Sequence, residues 1–145
     1  MEMNQTIKSI MLQEHGKIRS LLKETEIIIE KDLEKACEMF ENIKWNIEKH
    51  FFVEEKIIFS IYNSGDGDME TQNNLLKDHK DIMFLIKTIE ENFSKEIKPK
   101  ILKLIETITA HANFEDQVFY PRLDEELDEE KKNLIISRCS ELIKC

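Results

Sequence analysis

The sequence predicts an all-α protein of four long helices and a shorter fifth, on three observations. Only 3 Gly and 2 Pro occur in 145 residues, so few turns interrupt the chain. Apolar residues recur in alternating steps of three and four along four stretches, the spacing that buries one stripe of a helix. Turn-forming residues are concentrated in "NSGDGD" (Asn63 to Asp68) and "SKEIKPK" (Ser94 to Lys100).

The first helix is the loosest, running through Met11, His15, Ile18, Leu22 and Ile29. The second is the clearest, with Phe40, Ile43, Ile47, His50, Glu54, Ile57 and Ile61 in the seam spacing of a bundle. "NSGDGD" then splits the chain near its middle. Leu75, His79, Ile82, Ile86, Ile89 and Phe93 carry the third, and Ile101, Leu104, Ile108, His111, Glu115 and Val118 the fourth. Pro99 suits the first turn of that fourth helix, and Pro121 is expected to end it. The run "DEELDEEKK" reads as a solvated helix start whose acids favour the positive N-terminal end. Beyond it, Leu134, Ile135, Ile136, Leu142 and Ile143 predict a fifth helix laid against the others. Residues 1–145 are of a size for one domain that needs no staples to fold.

A formal net charge of −9 with no basic cluster excludes a nucleic-acid binder, which needs grouped Lys and Arg to displace counterions. An anionic membrane surface is excluded on the same ground. No run approaches the ~18 apolar residues of a membrane span, and the opening "MEMNQTIKSIMLQEHGK" has no signal-peptide core. Cys37, Cys139 and Cys145 form an odd set without a CxxC pair and read as reduced bystander thiols. The expectation is a soluble cytoplasmic protein.

The halves resemble each other. "LQEHGKIRSLLK" (Leu12 to Lys23) aligns with "LKDHKDIMFLIK" (Leu76 to Lys87), matching both histidines and setting Glu14 against Asp78. "HFFVEEKIIF" aligns with "HANFEDQVFY" at an offset of 61 residues, the first pair at 64. Each half is a helical hairpin with His on one helix and His-x-x-x-Glu on the next. All 4 histidines of the chain, His15, His50, His79 and His111, fall on seam positions. His and Glu four apart share a helix face, ~6 Å apart along the axis. Two carboxylates in a bundle core cost several kcal/mol in desolvation and repel each other besides. A pair of metal ions removes both penalties, with Glu54 and Glu115 bridging and four imidazoles terminal. Mixed nitrogen and oxygen donors suit iron, and also accept manganese or zinc.

The order His … His-x-x-x-Glu … His … His-x-x-x-Glu resembles the hemerythrin-like family, the HHE cation-binding domains, from His15 to about Leu123, with "VFYPRL" after the last motif also similar. The resemblance implies an up-down-up-down four-helix bundle holding a non-haem di-iron centre. It implies His15, His50, His79 and His111 as terminal ligands and Glu54 and Glu115 as bridges. Oxygen-carrying hemerythrins have a further histidine on the third helix, where this chain places Leu75 and Met83 around His79. Their last motif is His-x-x-x-x-Asp, a spacing that Asp116 also meets. Glu115 is preferred because it repeats Glu54 and keeps the seam, with Asp116 as fallback. The missing fifth histidine leaves an additional coordination position open, which suits small-ligand binding at both metals better than reversible oxygen carriage.

Three functions follow as expectations. The first is a centre that binds or senses O2, NO or peroxide, or handles iron, in a pocket lined by residues such as Phe51, Phe114 and Trp45. The second is a di-iron enzyme of nitrosative or oxidative stress, reducing peroxide or NO, with Tyr62 and Tyr120 as candidate acids and an electron donor the sequence does not name. The ligand set is also similar to that of di-iron proteins that repair iron centres, which typically carry an extra N-terminal cysteine-containing domain. The third is a zinc-loaded interaction module. Glu55 and Asp116 are expected to be silent on mutation.

Overall fold

The computed structural model describes residues 5–63 and 68–143, and every secondary-structure element among them is helical. Helix α1 spans Ile7–Ile29 and α2 Leu33–Phe52. A π-helical turn, Val53–Ile58, joins α2 without a break to α3, Phe59–Tyr62. Helix α4 is Met69–Ser94 and α5 Leu102–Phe114. A second π turn, Glu115–Phe119, leads into α6, Tyr120–Glu126, and α7 closes the fold at Glu129–Ile143. The chain thus forms five rods, two of them bent by a π turn.

Short polar side chains start the rods. Thr6 and Ser9 cap each other's backbone at α1, Asp32 caps α2 and Asp68 caps α4, each satisfying orphan N–H groups of a first turn. Asp124 adds a long-range cap, accepting from the Ile7 and Lys8 amides at 3.1 and 3.2 Å. Part of the acidic run is therefore spent on α1, and Asp128 caps α7 through the Lys131 amide at 2.8 Å. Helix α4 ends where Glu96 takes a left-handed φ of 58°, so that the Ile97 amide reaches back to the Asn92 carbonyl at 2.9 Å.

Helix α1 packs on α2 and α5, and α4 packs on the same two, so the four rods enclose one interior. That interior has two apolar clusters. One gathers Ile18, Leu22, Phe40, Ile47, Ile82 and Ile108; the other gathers Met11, Val53, Ile58, Leu75, Phe119 and Tyr120. Along α1 the chain passes from Met11 to Ile18 across His15, and along α4 from Leu75 to Ile82 across His79. The histidines form a polar belt between two apolar cores.

The π turns alter three sequence expectations. Each turn inserts one extra residue and closes with an i→i−5 bond, Phe59 N–H to the Glu54 carbonyl and Tyr120 N–H to the Glu115 carbonyl. The buried stripe slips by one residue beyond each glutamate. Ile58 and Tyr62 are buried where Ile61 is only partly so, and Val118 is exposed while Phe119 and Tyr120 are buried. Pro121 does not end the rod, because it sits in the opening turn of α6, where its missing N–H costs nothing. Pro99 lies in the connection before α5 rather than in its first turn. The fifth helix is present, burying Ile135 and Cys139 while Leu134 stays exposed. The Ile143 side chain, Cys145 and residues 64–67 of the turn cluster lie outside the described residues. No helix among those described is long and apolar enough to cross a membrane.

Candidate metal centre

The His–Glu spacing on two rods, and single histidines on two others, deliver six side chains to one level. His15, His50, His79, His111, Glu54 and Glu115 are all buried. Every imidazole turns Nε2 inward. His79 Nε2 lies 3.1 Å and His50 Nε2 3.5 Å from Glu54 Oε1. His15 Nε2 and His111 Nε2 lie 3.2 and 3.3 Å from Glu115 Oε1. His15 and His50 also meet nitrogen to nitrogen at 3.0 Å. Two groups of donor atoms are close enough to surround an ion: Glu54, His79, His111 and Glu115, and His15, His50 and Glu115. Glu115 belongs to both.

Outside this ring stands a set of carboxylates on the opposite ring nitrogens. Asp116 meets His15 Nδ1 at 2.9 Å, Glu55 meets His79 Nδ1 at 2.7 Å, and Asp78 meets His111 Nδ1 at 2.9 Å. A carboxylate on Nδ1 fixes both the tautomer and the ring plane, leaving the Nε2 lone pair to face a cation. The Tyr120 hydroxyl donates to Glu54 Oε2 at 2.5 Å and is fully buried.

Several of these groups are poorly satisfied by protein alone. Both carboxylate oxygens of Glu115, His111 Nε2 and His50 Nδ1 are buried without a hydrogen-bond partner. Burial, and then the charge of Glu54, push the Glu115 carboxyl well above the usual carboxylate range. Burial opposes ionisation of Glu54 too, but the neighbouring imidazoles of His50 and His79 help to hold that carboxyl well below the usual range. Burial drops the His50 imidazole to about 3, against a weaker pull from Glu54, and lowers His111. Imidazoles, buried carboxylates and orphaned donor atoms aimed at one point are the chemistry of a cation site. Cations would relieve every inward orphan at once.

Comparison with protein-family models matches residues 6–123 to the hemerythrin HHE cation-binding domain. The chain belongs to the hemerythrin HHE family. No curated protein and no solved structure matches it. HHE domains bind cations, typically iron, and the buried His/Glu groups of this HHE domain can hold a metal.

Around the ring the walls are apolar. Phe51 stacks on His79, with ring centroids 3.8 Å apart and planes 11° from parallel. Beside His15, His50 and His111 lies a cavity of about 20 Å³, also lined by Phe51 and aliphatic side chains including Ile18 and Ile108. A volume of that order holds one water-sized or diatomic molecule. On the outside, a groove of about 700 Å³ between α2 and α4 reaches Phe51, Glu55 and His79.

Other expectations about the site are corrected. Trp45 and Phe114 do not line the centre: they are 61% and 40% exposed, because their positions fall on the outer faces of α2 and α5. Tyr62 donates to Glu126 at 2.6 Å instead of facing the site, since the first π turn carries it past. Glu55 and Asp116 are not bystanders but hold imidazoles. Asp116 takes the outer nitrogen of His15 and leaves the inner position to Glu115. Sequence reasoning missed Asp78 as a site residue; the signal was the acid that stands before a seam histidine in both halves.

Proposed function

We propose that this HHE domain holds a carboxylate-bridged di-iron centre that binds or senses a small ligand, O2, NO or peroxide. The observation carrying this reading is the shared position of Glu115, which belongs to both donor groups and whose two buried oxygens have no hydrogen-bond partner. His15 and His50 would hold one ion, His79 and His111 the other, with Glu54 and Glu115 bridging. The connections between the four long rods span only a few residues, which supports an up-down-up-down arrangement delivering ligands from four sides. Bound iron supplies Lewis acidity and one-electron redox capacity. The protein's own part is to present Nε2 lone pairs and to fix their planes through Asp78, Glu55 and Asp116. The free thiols of Cys37 and Cys139 fit a cytoplasmic compartment.

The test is to load the metal-free protein anaerobically with ferrous iron, then with manganese and zinc in parallel, and to measure stoichiometry, the visible spectrum after oxidation, and NO binding. Two irons per chain, an iron-centred absorption and saturable NO binding are expected. Colourless protein that accepts only zinc would overturn the reading.

A second reading, a di-iron enzyme that reduces peroxide or NO, is favoured by one observation. Tyr120 places a buried phenol proton on Glu54, and Glu55 links His79 to the outer groove. Burial, and then the charges of Glu115 and Glu54, hold that phenol well above its ordinary range, so it stays a proton donor. Multiple turnovers of peroxide or NO with an artificial reductant, slowed in Tyr120→Phe, would distinguish the enzyme from the binder.

A further inference from the structure

Three of the four imidazoles have a carboxylate on Nδ1, and the exception follows a pattern. The offset of 61 residues sets His50 on His111 and Glu55 on Asp116, and the offset of 64 sets Glu14 on Asp78 and His15 on His79. The two crossing contacts, Asp116 with His15 and Glu55 with His79, are equivalents of each other. The remaining contact, Asp78 on α4 with His111 on α5, has an equivalent that would run from Glu14 on α1 to His50 on α2. Helices α1 and α2 pack together, as α4 and α5 do.

The residues at both ends of that contact lack partners. His50 Nδ1 is buried without one. Glu14 lies on the buried face of α1, 7% exposed, and no hydrogen bond or ion pair joins it to another described residue. Its side chain is one methylene longer than that of Asp78, so it has the greater reach. Asn46, one turn before His50, is the other buried polar side chain on that stretch of α2; it donates its amide N–H to the Asn42 carbonyl at 2.8 Å, and no hydrogen bond joins it to His50 Nδ1.

Chemistry supplies the reason for the contact. An imidazole that offers its Nε2 lone pair to a cation must carry its proton on Nδ1. A buried N–H without an acceptor leaves the ring free to rotate and loses a hydrogen bond. We propose that Glu14 is the fourth outer carboxylate, accepting the Nδ1 proton of His50 and orienting that imidazole on the metal. Glu14 is thus a positioning residue, acting through His50. The assignment rests on the reading of His50 as a metal ligand.

Zinc, which is diamagnetic, serves as the probe, using the full chain. Competition with a chelator gives the affinities of the wild type, Glu14→Ala, Glu14→Gln and Asp78→Ala, while nitrogen-15 spectra follow the Nδ1–H proton of His50. Loss of an outer acceptor weakens metal binding about 10- to 100-fold, so Glu14→Ala and Asp78→Ala are expected to weaken zinc binding by comparable factors. Glu14→Ala is expected to erase the slowly exchanging His50 proton, and Glu14→Gln, which keeps an acceptor oxygen, to restore it. The metal-free Glu14→Ala protein is expected to melt like the wild type, which separates positioning from folding. Wild-type zinc affinity with an unchanged His50 proton in Glu14→Ala would overturn the proposal and leave the metal reading standing. Loss of that proton in Asn46→Ala alone would overturn it in favour of Asn46. If wild type and Asp78→Ala alike bind no zinc, the metal reading falls and takes this one with it.

Discussion

The two His-x-x-x-Glu segments share spacing, a π turn and a carboxylate at the next position, yet they leave their glutamates in different states. Glu54 is hydrogen-bonded by Tyr120 and His79. Both oxygens of Glu115 are buried without a hydrogen bond, although His15 and His111 approach to 3.2 and 3.3 Å. One residue contributes to the asymmetry. Tyr120 is the equivalent of Phe59 in the first half, and Phe59, packed edge-on against Phe119, has no hydroxyl to give. A duplicated site therefore holds one glutamate in place and leaves the other to be satisfied from elsewhere.

Replacing each glutamate with leucine is the hardest test of that difference. Both variants are expected to lose bound metal, since each removes a carboxylate from the centre. Their metal-free forms should part company. Glu54→Leu strands the buried Tyr120 hydroxyl and should lose about 1–3 kcal/mol or more of stability. Glu115→Leu removes an unpartnered buried carboxyl and should melt higher than the wild type. Equal melting shifts would break the comparison. His50→Ala should lower metal content less than Glu54→Ala, because a terminal ligand touches one ion and a bridge two; full metal in both would sink the ligand assignment.

Asp116→Ala and Glu55→Ala release the outer nitrogens of His15 and His79. Each is expected to weaken metal binding about 10- to 100-fold, and equilibrium competition with a chelator would show it. Tyr120→Phe makes the halves alike and should cost the metal-free protein about 1–2 kcal/mol in denaturant unfolding.

Acid offers a further measure. An unfolded His50 titrates near 6.5 and the buried one at about 3, so between those values the unfolded chain binds the extra proton. Stability is retained above about pH 6.5 and drains away as pH falls toward 3, by an order of a few kcal/mol from this group. The midpoint in urea, followed across that range without metal, checks it. His50→Ala should flatten the dependence. At the small end, Trp45→Ala should leave metal affinity and stability within about 0.5 kcal/mol, and any larger loss would return that indole to the site.

The seam histidines could be read from sequence because a polar residue in an apolar stripe stands out, and the stripe itself shows the all-helical fold. The π turns could not, since no residue type demands one: their only trace is a one-residue slip that makes Val118 look buried and takes Tyr120 out of the expected stripe. The exposed aromatics misled for a related reason. Trp45 and Phe114 are hydrophobic by type, and type alone does not say on which side of a helix a ring falls. The outer carboxylates were half visible, as acids beside His and Glu in both repeats, but surface acids are so frequent in this chain that three-dimensional contact was needed to single them out.

Helix α7 lies beyond the residues shared with the family, yet it rests on the first π turn, on α1 and on α3. Its Cys139 is buried closely enough to Glu54 that, after desolvation, this carboxylate helps raise the thiol to about 12. The tail is thus a splint across the π turn of the second rod, where a wider coil gives up ordinary helical regularity to aim a glutamate inward. Cutting the chain after Leu127 would strip that splint, and the looseness would reach the interior through Glu54 first.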